Sequence, residues 1–378
     1  MPVERLRRKE PLPRYLTLLT LSGAVAVAGL LYVVVSHLNG EGGTTAAAPA
    51  ATIPADFHEP LPQLFAPTSV WNTQLATDAP IDPGSNAMVA GLSREVAREE
   101  VSDVGPWIAT RRCSTPLYVV PAGQPELAVH LTQPRIFWRR SLAKVFEHVP
   151  LPADARPADC VDRHLTVWQP STDRLWEFFH LRHDPESGWW ADWGGAMQHV
   201  SSSPGYYTSE SWPGLSAPNW GATATSLPVL GGVILLSELR AERINHALAL
   251  NLPIARAGVF SWPAQRSDGL GGPERIPEGA RLRLPHDLNL TALNLPPVTL
   301  TMARAVRRYG AIVRDQTGPG NGVSFFAEDA RPVGSNPYDG KDGLFAGVPP
   351  DLLLADFPWE KLEVLKMTLC VKAPCPES

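Results

Sequence analysis

Proline and glycine constrain the fold of this chain more than any other sequence feature. There are 39 prolines and 30 glycines among the 378 residues, and they interrupt the sequence too often for long helices to continue. The segments between them are short and apolar, and several alternate between apolar and polar residues. Short alternating runs separated by turn residues are typical of β-strands. The sequence therefore predicts a mostly β protein with long loops.

Nine segments have the pattern of a short strand. They are 116–121, 126–131, 164–169, 174–182, 188–194, 245–252, 280–284, 311–315 and 323–328. The clearest local unit joins HLTVWQ (164–169) to RLWEFFHLR (174–182) through Pro-Ser-Thr-Asp, which has the composition of a tight turn. This unit predicts a β-hairpin.

Few segments have helical spacing. Residues 86–99 predict a helix capped by Ser85, residues 237–243 a short one capped by Ser237, and residues 298–310 a helix that ends at Gly310. Many short strands with a few peripheral helices favour an antiparallel β-sandwich or jelly roll. An α+β domain with a curved sheet is the alternative.

The N-terminal part differs in composition from the rest. Residues 1–14 carry five Lys/Arg against two Glu, and residues 15–38 form an uncharged run of 24 residues, long enough to span a bilayer. Residues 39–60 are rich in Gly, Ala and Pro, as expected of a linker. The basic flank predicts a cytoplasmic N-terminus, a single transmembrane helix and an extracytoplasmic domain at 61–378. A cleaved signal peptide is the competing interpretation.

Charge and cysteine content narrow the class of partner. Removing the N-terminal excess of three positive charges from the net charge of −5 leaves −8 for the remainder, which does not suit nucleic acid.

Four cysteines in an oxidising compartment predict two disulfides. Three pairings are possible, and the pairs closest in sequence are Cys370–Cys375 and Cys113–Cys160. Zinc-type and EF-hand spacings are missing from the sequence, so no metal or cofactor is predicted.

Several strings resemble a family of secreted or membrane-anchored bacterial envelope proteins. They are DRHLTV (162–167), LWEF (175–178), WGATATSLP (220–228), GGVI (231–234), INHAL (244–248), FSWPAQR (260–266), PEGARLRL (277–284) and RYGAIVRD (308–315). Their order and spacing cover roughly residues 65 to 360. The resemblance implies one envelope-associated domain and no particular reaction.

Glu177 is a carboxylate placed among apolar strand residues. Alternation in RLWEFFHLR puts it on the same face as Leu175 and Phe179. Removal from water raises the pKa of a carboxyl group and suits it for general acid or base catalysis. The structural alternative is a hydrogen bond or ion pair with Arg163 or Arg174.

Other ionisable groups interrupt strand patterns in the same way. Asp162 and His164 precede the first hairpin strand, where side chains reach a cleft, although Asp162 also suits a turn. His246 shares its face with Ile244, Leu248, Leu250 and Leu252. A core histidine with a local partner explains that position equally well. The functional hypothesis is that His246 lines a cleft with Glu177 or His164 in reach.

Tryptophans are concentrated in the middle of the chain. Half of the twelve lie between residues 189 and 262, and exposed indole rings stack on sugars. Trp193, Trp220 and Trp262 are the candidates for such a groove; a buried aromatic core is the alternative. The long unpatterned loop at 201–226 is of a kind that often covers binding sites.

These features predict a domain that acts on an envelope or extracellular polysaccharide. A glycosidase needs two carboxylates, for which Glu177 and Asp192 are the best pair. A polysaccharide lyase needs a base and a cation, for which His246 or His164 with Arg266 would serve, unless Arg266 pairs with Asp268. A non-catalytic carbohydrate-binding or scaffolding module is the alternative from another class.

Overall fold

Short strands arranged in several sheets form the framework of the protein, here a computed structural model that describes residues 61–132, 140–214, 220–333 and 336–377. The described residues fall within one compact unit. Among them, no helix has both the length and the apolar character needed to cross a membrane. The predicted transmembrane helix at 15–38 and the linker at 39–60 lie outside the described residues.

The strands, numbered along the chain, have the following bounds: β1 Trp107–Ala109, β2 Leu117–Val119, β3 Val129–Leu131, β4 Leu165–Gln169, β5 Arg174–Phe179, β6 Arg182–Asp184, β7 Gly188–Ala191, β8 Trp193–Gln198, β9 Leu248–Leu252, β10 Phe260–Ser261, β11 Arg281–Arg283, β12 Ala311–Gln316, β13 Ser324–Phe326, β14 Glu363–Val364 and β15 Leu369–Cys370. The helices are α1 Ser85–Ser102, α2 Arg140–Val145, α3 Leu236–Arg240 and α4 Pro297–Arg308. All nine predicted strand segments contain a strand, so a sheet-rich fold with few helices is confirmed.

The sheets are mixed in direction. A six-stranded sheet has the order β1-β13-β9-β12-β11-β14 and a four-stranded sheet the order β2-β4-β5-β8; a three-stranded sheet (β3-β7-β6) and a β10-β15 pair complete the set. The pairs β1/β13, β9/β12, β2/β4 and β3/β7 are parallel. The predicted antiparallel pairing is therefore found for only part of the strands, because a strand's own pattern does not specify the direction of its partner. The sandwich or jelly-roll arrangement stays a prediction.

The six-stranded sheet separates two hydrophobic cores. Leu248 and Leu250 of β9 enter a core that includes α1 and α4. Ala247 and Ala249 enter a second core, which contains the apolar residues of the four-stranded sheet. Alternate side chains point to opposite faces of a strand, so β9 is buried on both sides. This burial explains why its pattern is so continuously apolar.

The predicted hairpin is confirmed by the pairing of β4 with β5. Leu165 lies opposite Phe178, and Gln169 lies opposite Arg174. The turn between them is a short 3₁₀ segment, and Asp173 follows it in the left-handed region with φ 53°. The hairpin carries the predicted residues Asp162 and His164 to one end of the four-stranded sheet.

The predicted helices exist, but neither predicted serine cap does. The Ser85 hydroxyl accepts a hydrogen bond from the Val364 amide, so it ties α1 to β14 instead of capping the helix. Ser237 lies inside α3, where the Glu238 carboxylate accepts the Leu235 amide at the helix start. Tertiary contacts determine both helix ends.

The four cysteines form one disulfide and one pair of free thiols. Cys370 and Cys375 form the predicted disulfide, with Cα atoms 5.8 Å apart. Cys113 and Cys160 keep free thiols, so the second predicted disulfide is not formed in this structure. Their side chains share a hydrogen bond, which lowers the pKa of Cys160 to about 7 and raises that of Cys113.

Gly232 lies where β9 meets Trp71 and has φ +72°, a left-handed conformation that favours glycine. A Cβ atom there would lie 2.4 Å from the Ala249 nitrogen and 2.5 Å from Trp71 Cζ3. Gly188 has φ +82°, but a Cβ atom there would meet nothing within 4 Å. An alanine at Gly188 would therefore meet backbone strain alone, and an alanine at Gly232 would meet both strain and steric overlap.

We predict that Gly232→Ala destabilises the protein much more than Gly188→Ala. Backbone strain costs about 1–2 kcal/mol at either position, and overlap at Gly232 adds about 1–3 kcal/mol. Urea denaturation of both variants measures the difference. Equal losses at the two positions would show that the contact between Gly232, Trp71 and β9 is not tight.

Candidate functional site

The ends of several strands surround a pocket with a volume of about 540 Å³. Its lining residues come from the loop before β4, the end of β5, the start of β8, the loop between β8 and α3, the loop after β10 and the end of β12. They are Asp162, His164, Phe179, Trp193, Ala222, Thr223, Ala224, Arg266, Ser267, Asp268, Asp315 and Gln316. We call this cavity the carboxylate pocket. Four of the residues selected from the sequence line it: Asp162, His164, Trp193 and Arg266.

Three carboxyl groups meet at the carboxylate pocket. Single oxygen atoms of Asp268, Glu278 and Asp315 all lie within 4.8 Å of one another. Burial raises the pKa of Asp315 to about 7 and that of Glu278 to about 9. The Asp268 side chain, which is the most exposed of the three, also has a pKa raised by burial. Carboxyl groups this close do not all ionise together, so at neutral pH the cluster retains protons.

The cluster of Asp268, Glu278 and Asp315 was not predicted as a site. Asp315 ends the predicted strand at 311–315, and Asp268 and Glu278 lie near or within strings that carry the family resemblance. Each carboxylate occurs singly beside glycine or arginine, as loop and strand-end residues commonly do. An available signal was Asp315 itself, a carboxylate at the end of an apolar strand.

Arg266 supplies the main positive charge of the pocket. Its Nη2 donates to the carbonyl oxygens of Gly221 at 3.0 Å and Thr223 at 2.6 Å. Its guanidinium lies over the Trp193 ring, 6.0 Å from the centroid. Burial lowers the pKa of Arg266, and the opposing effect of Asp315, Asp268 and nearby glutamates offsets only part of this shift. Arg266 therefore holds the 221–223 backbone and balances part of the carboxylate charge.

His164 is neutral at physiological pH. Burial lowers its pKa to about 4. Its Nε2 lies 3.2 Å from the Ala222 carbonyl oxygen, and a carbonyl accepts only from a protonated nitrogen. This partner assigns the Nε2–H tautomer, which leaves Nδ1 as a hydrogen-bond acceptor. The ring packs near Phe179, with centroids 5.7 Å apart.

Glu177 holds the backbone that forms one wall of the pocket. Its Oε1 accepts the Ala222 amide at 2.7 Å, and its Oε2 accepts the Val229 amide at 2.8 Å. The side chain is fully buried, and burial raises its pKa to about 7. It does not line the carboxylate pocket. The geometry therefore gives Glu177 a positioning role in place of the predicted contact with substrate.

Asp192, the predicted partner of Glu177, belongs to a separate polar network. It accepts hydrogen bonds from Arg182 at 2.9 Å, His180 at 2.9 Å and Thr132 at 3.0 Å. Burial raises the pKa of Asp192, but these hydrogen bonds lower it to about 2. Asp192 is therefore an ionised, paired carboxylate that does not line the carboxylate pocket. These contacts give no support to the predicted catalytic pairing of Glu177 with Asp192, which stays a prediction.

His246 lies in a different cavity of about 400 Å³. Its Nε2 lies 3.0 Å from the Glu238 carboxylate, and its Nδ1 lies 2.8 Å from the carbonyl oxygen of Ala247. Burial lowers the pKa of His246, but Glu238 raises it by more. Neither Glu177 nor His164, the predicted neighbours, lines this cavity. The imidazole is accommodated on an apolar face because α3 supplies a carboxylate from outside the strand.

Of the three tryptophans predicted to line a groove, one lines the carboxylate pocket. Trp193 lines it, half-buried, at the start of β8. Trp220 is fully buried in the core, and Trp262 packs edge-on against Tyr206 with centroids 6.2 Å apart. Of the predicted loop at 201–226, residues 222–224 line the pocket, and residues 215–219 lie outside the described chain.

We predict that Glu177→Ala destabilises the protein substantially. The change leaves the buried amides of Ala222 and Val229 unpaired, at about 1–3 kcal/mol each. Glu186→Ala, a control at an exposed glutamate on the β6–β7 turn, is expected to change stability by less than about 0.5 kcal/mol. Chemical denaturation measures both. A stable Glu177→Ala protein that has lost activity would instead indicate that Glu177 is a catalytic residue.

We predict that Asp315→Asn becomes more stable relative to the wild type as pH rises from 4 to 8. The pKa of Asp315 rises from its ordinary value of 3.8 to about 7 in the folded protein. Between those values the folded state holds a proton that the unfolded state releases, so wild-type stability falls with pH. Asparagine does not ionise, so it removes this loss. Denaturation at several pH values measures the difference, and a pH-independent difference would contradict the raised pKa.

Comparison of the chain with models of known protein families, with curated proteins and with solved structures found no match. The resemblance to bacterial envelope proteins therefore stays a prediction. The function of the carboxylate pocket has to be inferred from its own chemistry, namely a proton-holding carboxyl cluster, a neutral histidine, an arginine and one partly exposed tryptophan.

Proposed function

We propose that the carboxylate pocket cleaves glycosidic bonds in an envelope or extracellular polysaccharide, with Asp315 as the proton donor. The observation that carries the proposal is the Asp315 carboxyl group, which lines the open pocket and has a pKa raised to about 7. Departure of a sugar hydroxyl needs a proton on the glycosidic oxygen. A carboxyl that stays protonated near neutral pH supplies that proton.

Asp268 is the proposed second carboxylate. It is more exposed than Asp315 and Glu278, so it ionises before them. The oxygens of Asp268 and Asp315 lie within 4.8 Å, closer to the spacing of about 5–5.5 Å in retaining glycosidases than to about 6.5–9.5 Å in inverting ones. Asp315 protonates the leaving oxygen while Asp268 bonds to the anomeric carbon. Water, deprotonated by Asp315, then releases the sugar and restores both groups.

The remaining lining residues suit a sugar ring. Trp193 and Phe179 offer aromatic surface for its apolar face. The acceptor Nδ1 of His164 and the carboxylate of Asp162 accept hydrogen bonds from hydroxyl groups. Sugar-binding sites commonly combine a few directed polar groups with aromatic surface in this way.

A lyase is a weaker candidate for the same pocket. The neutral His164 has an acceptor nitrogen that would remove a proton next to a uronate carboxylate. Stabilising the resulting enolate would fall to Arg266, but its Nη2 is already bonded to the carbonyls of Gly221 and Thr223. The non-catalytic binding module keeps Trp193 but gives no reason for three carboxyl groups that retain protons.

The extracytoplasmic location is part of the same proposal. It is supported by the uncharged run at 15–38 behind a basic segment. The Cys370–Cys375 disulfide also suits an oxidising compartment. A single membrane span would hold the pocket near the envelope polymers.

We predict that Asp315→Asn lowers the rate of glycoside cleavage at least 100-fold, because asparagine donates no catalytic proton. The purified protein is incubated with a panel of envelope and plant polysaccharides while reducing ends and absorbance at 235 nm are followed. Wild-type activity is expected to fall as pH rises through about 7, where Asp315 loses its proton. Asp351→Asn, at an exposed aspartate outside the pocket, is the matched control.

The readouts distinguish the three functions. Reducing ends without absorbance at 235 nm indicate hydrolysis, and absorbance indicates a lyase. Binding to a polysaccharide without either signal indicates the non-catalytic module and would overturn the proposal. Full activity in Asp315→Asn would exclude Asp315 as the proton donor.

A further inference from the structure

A second polar pocket lies apart from the carboxylate pocket and has the opposite charge. Its volume is about 230 Å³, and its charged and polar lining comes from Thr110, Arg111, Arg156, Asp329, Arg331 and Asn336. We call it the arginine pocket. Three guanidinium groups and one carboxylate leave two positive charges unbalanced, in a protein whose net charge is −5.

The single carboxylate of the arginine pocket is already neutralised. Asp329 is fully buried, and its Oδ1 and Oδ2 accept the Arg331 Nε at 3.0 and 2.9 Å. Arg331 Nη2 also donates to Asp329. Burial lowers the pKa of Arg331, but Asp329 raises it by more. Asp329 therefore anchors Arg331 and has no charge left to balance the other arginines.

Arg111 and Arg156 are exposed and make no ion pair with the described residues. Other carboxylates are near: Asp159 acts electrostatically on Arg331, and Asp154 acts on Tyr118 beside Arg156. Neither aspartate lines the pocket. The two arginines therefore present guanidinium groups to solvent inside a concave surface, where they suit a group with two or three oxygen acceptors.

Two chain segments connect the arginine pocket to the carboxylate pocket. Cys113 follows Arg111 by two residues, and its thiol is hydrogen-bonded to that of Cys160, two residues before Asp162. The second segment runs from Arg156 to Asp162 and His164. Each two-residue connection spans at most about 7 Å, so the Cys113–Cys160 contact links the two pockets over a distance that one extended polymer can cover.

We propose that the arginine pocket binds an oxyanion, a carboxylate, phosphate or sulfate, carried by an acidic polysaccharide whose neighbouring sugars occupy the carboxylate pocket. The oxyanion site stands on the arginine geometry alone. The statement that the polymer is the substrate rests on the proposed function. An acidic group held by guanidinium groups beside the cleavage site selects charged glycans over neutral ones.

Calorimetric titration of the full-length protein with inorganic phosphate, and separately with sulfate, tests the oxyanion site. Chloride at equal ionic strength is the reference. We expect binding that weakens as salt rises and that falls at least tenfold in the double variant Arg111→Gln/Arg156→Gln. Arg304→Gln, at an exposed arginine of α4, is the charge-matched control. Both pocket positions are exposed, so a thermal melt is expected to show normal folding.

The polymer part is tested by kinetics with a polyuronate, a phosphodiester-linked glycan and a neutral glucan. We expect the double variant to raise KM at least tenfold for the acidic polymer that the wild type cleaves and to leave kcat and neutral glycans nearly unchanged. Which acidic polymer responds identifies the source of the oxyanion.

The outcomes separate the two proposals. Phosphate and sulfate binding that is absent, or that is unchanged in the double variant, overturns the arginine pocket whether or not the protein is active. Anion binding in a protein that cleaves no glycan keeps the oxyanion site and overturns the proposed function. An unchanged KM for acidic polymers in the double variant overturns the link between the pockets.

Discussion

The pocket depends on one buried carboxylate, Glu177. Its two oxygens bind the amides of Ala222 and Val229, and these two bonds hold the segment between them against the four-stranded sheet. In that segment, the Thr223 carbonyl accepts a hydrogen bond from Arg266, and the Ala222 carbonyl accepts one from His164. A carboxylate taken out of water is stable only when its acceptors are satisfied, so the loop and the glutamate stabilise each other. Without this contact the pocket has no wall.

The same removal from water explains the chemistry of the cluster beside that wall. Asp315 and Glu278 hold protons because burial and neighbouring carboxylates disfavour their charged forms. Arg266 and Arg314 offset part of this cost but are themselves buried. The arginine pocket shows the opposite arrangement, in which one carboxylate is fully paired and two guanidinium groups are not. The protein thus has a proton-holding acid in one pocket and unpaired guanidinium groups in the other.

Parts of this site were predictable from local sequence. Asp162 and His164 were selected because they precede a strand, Trp193 as a possible sugar-stacking ring and Arg266 as a possible cation, and all four line the carboxylate pocket. Glu177, Asp192 and His246 were selected because they interrupt apolar strand patterns. Each is bonded to other partners: Glu177 to backbone amides, Asp192 to Arg182 and His180, and His246 to Glu238. A sequence pattern shows that a polar group enters an apolar face. It does not show which partner will meet it.

The sequence by itself determined the strand segments, the central hairpin, the main helices and the Cys370–Cys375 disulfide, because each depends on residues close together in the chain. Only the tertiary structure decided the parallel pairings, the helix ends and the meeting of Asp268, Glu278 and Asp315. These depend on residues far apart in sequence, whose approach is set by packing of the two cores on either side of the six-stranded sheet. The pKa shifts belong to the second group, since burial is a property of the folded chain and not of any single residue.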